Sequence, residues 1–396
     1  MKNRDFAIMF NGVDMKVVIA IDAFKGSISS VQAGEAVRRG ILSACPDASI
    51  TVLPLADGGE GFMDAVLYGC GGEKRRLKVT GPLGETVDAE YGVDPSHNVA
   101  FIETAQAIGL SLIEPQYRDP LNTTTFGVGE LINDALDLGC REFLIGLGGS
   151  STNDAGVGML SALGYCFFDS KGSPAGICGK DVINIAGIDR TGADPRLAEC
   201  SFVLASDVTN PLCGAAGASF VFGPQKGATP EIVVELDAGL SGFAAVTEMT
   251  VSRDFSCVPG AGAAGGLGFA FMAYLNASMR SGVEVVLDAV NMENAVKDAD
   301  YIITGEGMLD SQTIMGKAPF GVASLAKKYT GVVIALPGSA ADNARVCNDY
   351  GIDAYFPVVN EPLTLHEAMS AETVVRNLET TAKQVFLLIN AVRSKS

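Results

Sequence analysis

Histidine is nearly missing from this chain. Only His97 and His366 occur among 396 residues, so a His-rich metal centre is excluded by count and a His-based triad has almost no candidates. Positive charge is scarce too: 28 Lys and Arg against 46 Asp and Glu leave a formal net charge of −18. Nucleic acid and anionic membrane both demand an electropositive face, so neither is expected as a partner. An anionic substrate would need cations concentrated locally. Cysteine is present, but no two of the nine are spaced C-x-x-C. With no secretory apolar region ahead of them, they read as reduced thiols of a cytoplasmic protein, not as a disulfide or zinc framework. A long apolar run is absent as well. The one extended uncharged stretch, 255–279, is broken by Pro259, Gly260, Gly262, Gly265, Gly266, Gly268 and Asn276. That suits a Gly-rich loop entering a buried helix, not a membrane span. Finally, the P-loop pattern G-x-x-x-x-G-K-[ST] occurs nowhere.

What is there points to a globular α/β protein. Hydrophobic residues make up 48% and charged residues 19%, enough for a sizeable core and, at this length, two or three domains. Residues 1–14 precede Met15 and read as an extension, with the fold starting at that methionine. A strand at 15–24 turns at Lys25-Gly26-Ser27. Ser29 with Gln32 then forms a capping box, and Ala33, Val37 and Ile41 mark one helical face. A strand at 50–55, the loop Asp57-Gly58-Gly59-Glu60-Gly61 and a helix carrying Phe62, Val66 and Leu67 repeat that grammar, which belongs to parallel sheets. Past Gly81-Pro82-Leu83-Gly84, alternation over 86–93 and a close follower at 99–103 predict antiparallel strands. Strand–helix alternation returns from Tyr301 to a closing helix at 371–392. The expected organisation is a parallel α/β domain made from both chain ends, 15–85 and 287–396, interrupted by a mixed α/β domain over 86–286. Ligands of open parallel sheets bind at the carboxyl ends of strands, so the expected site is a cleft between the two domains.

The densest chemistry lies at those strand ends. An apolar run, 143–147, breaks into Gly148-Gly149-Ser150-Ser151-Thr152-Asn153-Asp154 before helical spacing resumes. Glycines admit a ligand close to the backbone, and the N–H groups of a first helical turn attract anions. The same residues also suit an ordinary strand-to-helix turn with a Ser or Asp cap. Lys25, Lys226 and Lys317 each sit in a Gly-containing loop, where phosphate would find charge beside backbone N–H groups. Acids collect at the same ends: Asp22, Asp57, Glu60, Asp154, Asp207, Glu306 and Asp310. A kinase needs carboxylates to hold Mg²⁺ and to accept a hydroxyl proton. The run 304–319, with Gly305, Glu306, Asp310, Gln312, Thr313 and Lys317, carries more polar chemistry than a structural turn requires.

Taken together and in order, these loops resemble the bacterial glycerate kinase family from about Met15 to the C-terminal helix. The resemblance rests on Asp22-Ala23-Phe24-Lys25-Gly26-Ser27, Leu55-Ala56-Asp57-Gly58-Gly59-Glu60-Gly61, the 148–154 run, Asn210-Pro211-Leu212, Phe222-Gly223-Pro224-Gln225-Lys226-Gly227-Ala228, and Thr304 through Pro319. It implies a flavodoxin-like domain interrupted by a smaller one, with the site in the cleft. It implies MgATP-dependent phosphorylation of D-glycerate to 2-phosphoglycerate or, as the second choice, 3-phosphoglycerate. Lys25, Lys226 and Lys317 would bind phosphates and the glycerate carboxylate, and residues 148–152 would cradle phosphate oxygens. Asp207 or Glu306 would hold Mg²⁺, and Asp310 or Asp154 would take the hydroxyl proton. Asp22, Ser27, Asp57, Gly58, Gly59, Glu60, Asn153, Asn210, Gly305, Gln312 and Thr313 complete the implied binding set, and a homodimer stays open. The chain departs from the family's pattern at Ile21 and Ala23 (usually Pro and Ser), at Ser151 and Ala155 (usually Ala and Gly), and at Met308 (commonly Arg).

Two other classes compete. Gly260-Ala261-Gly262-Ala263-Ala264-Gly265 matches G-x-G-x-x-G, with Glu284 about 20 residues on, as an NAD-dependent oxidoreductase would have. Pro259 and the weak strand before it favour helix packing or a phosphate contact instead. A two-lobed, non-catalytic binding protein is the third class.

Overall fold

The computed structural model describes residues 15–329 and 331–394; the expected extension, 1–14, lies outside the described residues. In chain order the strands are Lys16–Ile21 (β1), Ser49–Val52 (β2), Glu73–Thr80 (β3), Thr86–Asp94 (β4), Val99–Glu103 (β5), Glu142–Gly146 (β6), Cys166–Phe168 (β7), Gly187–Asp189 (β8), Ser201–Ala205 (β9), Ser278–Arg280 (β10), Tyr301–Gly305 (β11), Met308–Leu309 (β12), Val332–Ala335 (β13), Ser339–Ala340 (β14) and Ala354–Tyr355 (β15). The chain divides into two compact units. One runs up to Leu53, then takes Met292–Met315 and the chain from Val322; the other takes Pro54–Asn291 and Gly316–Gly321.

The first unit is built on a five-stranded sheet of order β15-β13-β11-β1-β2, parallel at every pairing. Renumbered within the unit, that order is 2-1-3-4-5, the flavodoxin-like arrangement. Its strands are short apolar runs because both faces are covered. On one face Val17, Ile19, Ile21 and Ile303 meet Ala33, Val37 and Ile41 of the helix Ser30–Ala44 and Leu378, Ala382 and Phe386 of the helix Ala371–Arg393. The capping box read from Ser29 and Gln32 is present at the start of Ser30–Ala44. The order reverses between β1 and β11, where Ile21 pairs with Gly305. Asp22 and Glu306 are therefore the first residues beyond neighbouring strand ends, at the sheet's topological switch point.

The second unit holds a six-stranded mixed sheet of order β10-β9-β6-β5-β4-β3. β5, β6, β9 and β10 run parallel, and β4 and β3 continue antiparallel. Its core joins Phe143, Ile145, Phe202 and Leu204 of the sheet to Leu131 and Ile132 of the helix Phe126–Asp137, and to Phe243, Phe269 and Phe271. The chain enters this unit at Pro54, earlier than the grammar change near residue 85. Strand β3 pairs with β4 from Glu73↔Val93 to Thr80↔Thr86. That long hairpin draws the helix Phe62–Cys70 along with it. Local grammar announces a helix without saying which sheet its apolar face will cover.

No helix among the described residues is long and apolar enough to cross a membrane.

Candidate active site

In the second unit the polar loops leave the carboxyl edge of the parallel strands. The loop after β6 meets the Asp57–Glu60 turn backbone to backbone. The Gly148 N–H donates to the Gly58 carbonyl at 3.3 Å. A Cβ on Gly148 would lie 2.6 Å from the Gly59 Cα, and one on Gly58 would lie 2.6 Å from the Ala205 carbonyl oxygen. Side chains at those positions would wedge the loops off the strand ends, which is what glycine is for here. Asp57 Oδ1 accepts from the Gly59 N–H at 3.2 Å. Asp207 follows β9 and accepts from the Gly282 N–H at 3.3 Å. Burial pushes its carboxyl up from the usual range, and the charges of Asp57 and Glu284 push it further, while the Ser281 and Gly282 hydrogen bonds hold it back. Two neighbouring carboxylates with that strain between them suit a cation. Gly149 and Glu60 are exposed beside them.

The rest of the 148–154 run is turned inward, and here the sequence reading needs correction. Ser151, Thr152, Asn153 and Asp154 have at most 1% of their surface exposed. Ser151 bonds the Ile108 carbonyl through both N–H (2.8 Å) and Oγ (2.9 Å). Asn153 reaches Ser219 Oγ at 3.2 Å. Asp154 accepts from the N–H and Oγ1 of Thr125, both at 2.7 Å, and from the N–H groups of Gly156 (3.1 Å) and Gly158 (3.2 Å). Burial raises its carboxyl, and those four donors oppose the rise. The Met159 N–H goes to Thr125 Oγ1 at 2.9 Å. The first turn of the helix Val157–Ala162 is thus capped from within by Asp154, and its N–H groups are not an anion site. A fully buried carboxylate with four donors is a brace, not a base facing a substrate hydroxyl.

Lys226 is also inside, 3% exposed, with Nζ donating to Ser150 Oγ at 3.0 Å and to the Thr152 carbonyl at 2.7 Å. Asn210 closes its own turn through the Ala216 carbonyl at 2.8 Å. The Gly-rich 260–265 stretch resolves as packing. A Cβ on Gly265 would press on the Thr152 carbonyl, and the Ala155 N–H bonds the Gly265 carbonyl at 3.1 Å. The element directly before it is the helix Pro230–Val251, not a strand. The dinucleotide fingerprint needs a strand there, so the NAD reading falls.

The first unit presents its residues differently. Asp22, 8% exposed, accepts from the Ala23 N–H at 2.7 Å, and its own N–H reaches the Gly305 carbonyl at 3.0 Å. Lys25 and Gly26 are exposed in the tight turn between Phe24 and Ile28. Glu306 Oε1 accepts from Thr313 Oγ1 at 2.6 Å. Asp310, half-buried, accepts from the Gln312 N–H at 2.8 Å. The hydroxyls of Ser27 and Thr304 are buried without a hydrogen-bond partner. Lys317, grouped with the second unit, is half-buried where the helix Ala318–Ala326 begins.

Two contributors went unread in the sequence. Glu103, 5% exposed at the end of β5, accepts from the Met63 N–H at 2.8 Å and so caps the helix that follows the 57–61 turn. Thr125 anchors Asp154. The signal for Glu103 was an acid closing an otherwise apolar strand; for Thr125 it was the run Thr123-Thr124-Thr125, all buried.

Known proteins resemble this chain along most of its length. The family model described as the glycerate kinase family matches residues 17–390. The glycerate 2-kinase of Escherichia coli K12 is 48% identical over 354 residues, 89% of this chain and 93% of that protein. The glycerate kinase of Haemophilus influenzae is 44% identical over 371 residues, 94% of this chain and 98% of its own. A crystal structure described as a putative glycerate kinase 2 from Salmonella typhimurium LT2 superposes with a TM-score of 0.86 at 44% identity, covering 96% of this chain and 100% of that one. On its strand order, its strand-end loops and these matches, the chain belongs to the glycerate kinase family.

Proposed function

We propose that this protein transfers the γ-phosphoryl group of ATP to the 2-hydroxyl of D-glycerate. The observation that carries the reading is the family match across 17–390, together with the glycerate 2-kinase name of a relative that is 48% identical. In-line phosphoryl transfer asks a protein mainly for positioning and charge neutralisation. The exposed backbone at Gly149, held beside Gly148 where that residue packs on Gly59, gives phosphate oxygens a close approach. Lys25 and Lys317 supply the positive charge that an acidic chain must concentrate locally. Asp310 accepts the hydroxyl proton; Asp154, enclosed by its four donors, is set aside for that role.

The residues fit Mg²⁺. No group of three His, Cys, Asp or Glu side chains among the described residues forms a complete metal cage. Mg²⁺ in kinases takes one or two carboxylates and completes its shell with water and phosphate. Asp207 with Asp57 offers that, its raised carboxyl pKa being relieved by a cation; Glu306 is the second candidate. When bound, the ion would neutralise charge on the transferring phosphate.

The test is ADP release with MgATP and D-glycerate against a control without acceptor. The reading expects ADP to form in step with glycerate consumed. Equal ADP release in the control contradicts it.

A further inference from the structure

The turn that carries Lys226 and the loop that carries Ser150 are separated by 76 positions in sequence, yet the lysine's ammonium lies beneath the loop. Within the kinase reading above, we propose that Lys226 is a positioning residue: it holds residues 148–153 in shape from below and does not itself touch phosphate.

The geometry is specific. The two acceptors of Nζ, Ser150 Oγ and the Thr152 carbonyl, stand on either side of Ser151, which is tied to Ile108 through its own N–H and Oγ. Consecutive residues of the loop are thus pinned from below by two different parts of the unit. The ammonium is 3% exposed and its two hydrogen bonds are spent inside the protein. Placing an ammonium in the interior is costly before compensation, and an apolar side chain would fill the volume without that cost. A lysine amine carries enough N–H donors to bridge a hydroxyl and a carbonyl at once, which an apolar side chain does not. Burial drops the lysine's pKa to about 7, with the negative charge of Asp154 opposing the drop. The loop so held is the one that begins with Gly148, packed on the backbone of Gly58 and Gly59, and the exposed Gly149. Misplacing such a loop by ~1 Å is worth roughly a hundredfold in rate.

The test pairs hydrogen exchange with steady-state kinetics on Lys226→Met, Ser150→Ala and the double variant. In Lys226→Met, amides of 148–154 are expected to exchange at least tenfold faster while those of the helix Phe62–Cys70 stay as in the parent. The kcat is expected to fall roughly a hundredfold, with KM for MgATP and for glycerate within threefold. Ser150→Ala removes one acceptor and is expected to lower kcat three- to tenfold, with a smaller rise in exchange. The double variant should be no worse than Lys226→Met, because both changes cut the same link. A tenfold rise in KM for MgATP with kcat retained would mean direct phosphate contact and overturn the proposal. So would unchanged exchange in 148–154. Should Lys226→Met fail to fold, Ser150→Ala decides alone: unchanged exchange and unchanged kcat overturn the proposal. Exchange is read without turnover, so a protein inactive on glycerate would end the kinase reading while leaving the loop's bracing open to measurement.

Discussion

Two loops of this protein look alike in sequence and are built on opposite principles. Residues 147–158, after β6, and residues 306–317, after β11, are both rich in Gly, hydroxyls, amides and acids. In the first, Thr152, Asn153 and Asp154 have 0% exposure, and their polar groups face the protein. In the second, Met308 is 50% and Met315 80% exposed, and added Cβ atoms on Gly307 and Gly316 would meet nothing within 4 Å. One loop is polar because a buried chain reversal must satisfy its own backbone. The other keeps Glu306 and Thr313 inside, bonded to each other at 2.6 Å, and turns Met308, Met315 and Gln312 outward. Composition reports how much polar chemistry a loop holds, and burial decides whether it is structure or site.

The largest effect expected from breaking this comparison is on turnover. Asp310→Asn, in the outward loop, should lower kcat by about 10²–10⁴-fold, the range of a lost general base, with little change in melting temperature. A variant with parental kcat would remove Asp310 from the mechanism. Stability should show the mirror image. Gly265→Ala, at φ +70 with its Cβ against the Thr152 carbonyl, should cost about 2–4 kcal/mol in urea unfolding. Gly316→Ala, at φ +112 in open space, should cost about 1 kcal/mol. Equal losses at the two positions would contradict the contrast drawn here.

Much of the fold was legible because its signals are local and repeated. The capping box at Ser29, the apolar strands and the loops at their carboxyl ends all stand in the structure. The flavodoxin-like strand order matches what the resemblance implies. What could not be read was which way a polar residue faces. Lys226 and Asp154 sit in runs that look like ligand loops, and only partners far along the chain, Ser150 and Thr125, show that they point inward. The same blindness let the 260–265 glycines imitate a dinucleotide loop, when their role is close backbone packing on Thr152.

Smaller effects sharpen the picture at the brace of the 57–61 turn. Burial raises the Glu103 carboxyl above its ordinary value, and the nearby Asp64 and Glu60 charges add to it. The folded state therefore takes up this proton first as pH falls. The contribution is fully present below the unfolded pKa and is lost as pH rises through the folded one. Glu103→Gln keeps the acceptor for the Met63 N–H but cannot ionise. Its stability relative to the parent should rise between pH 4.5 and pH 7.5 in urea melts, and a constant difference would remove Glu103 from this account. The least change is expected at Ala155, a non-glycine at φ 55, where the resemblance gives Gly. Ala155→Gly relieves a left-handed alanine and should raise stability by up to about 1 kcal/mol, read as a shift in unfolding midpoint.

The most direct test of the central claim is a phosphorus NMR spectrum of the product formed from D-glycerate and MgATP. The account predicts a single new phosphomonoester resonance, that of 2-phosphoglycerate, growing as ADP appears. A product that is 3-phosphoglycerate, or ATP left unconsumed in the presence of glycerate, would contradict it.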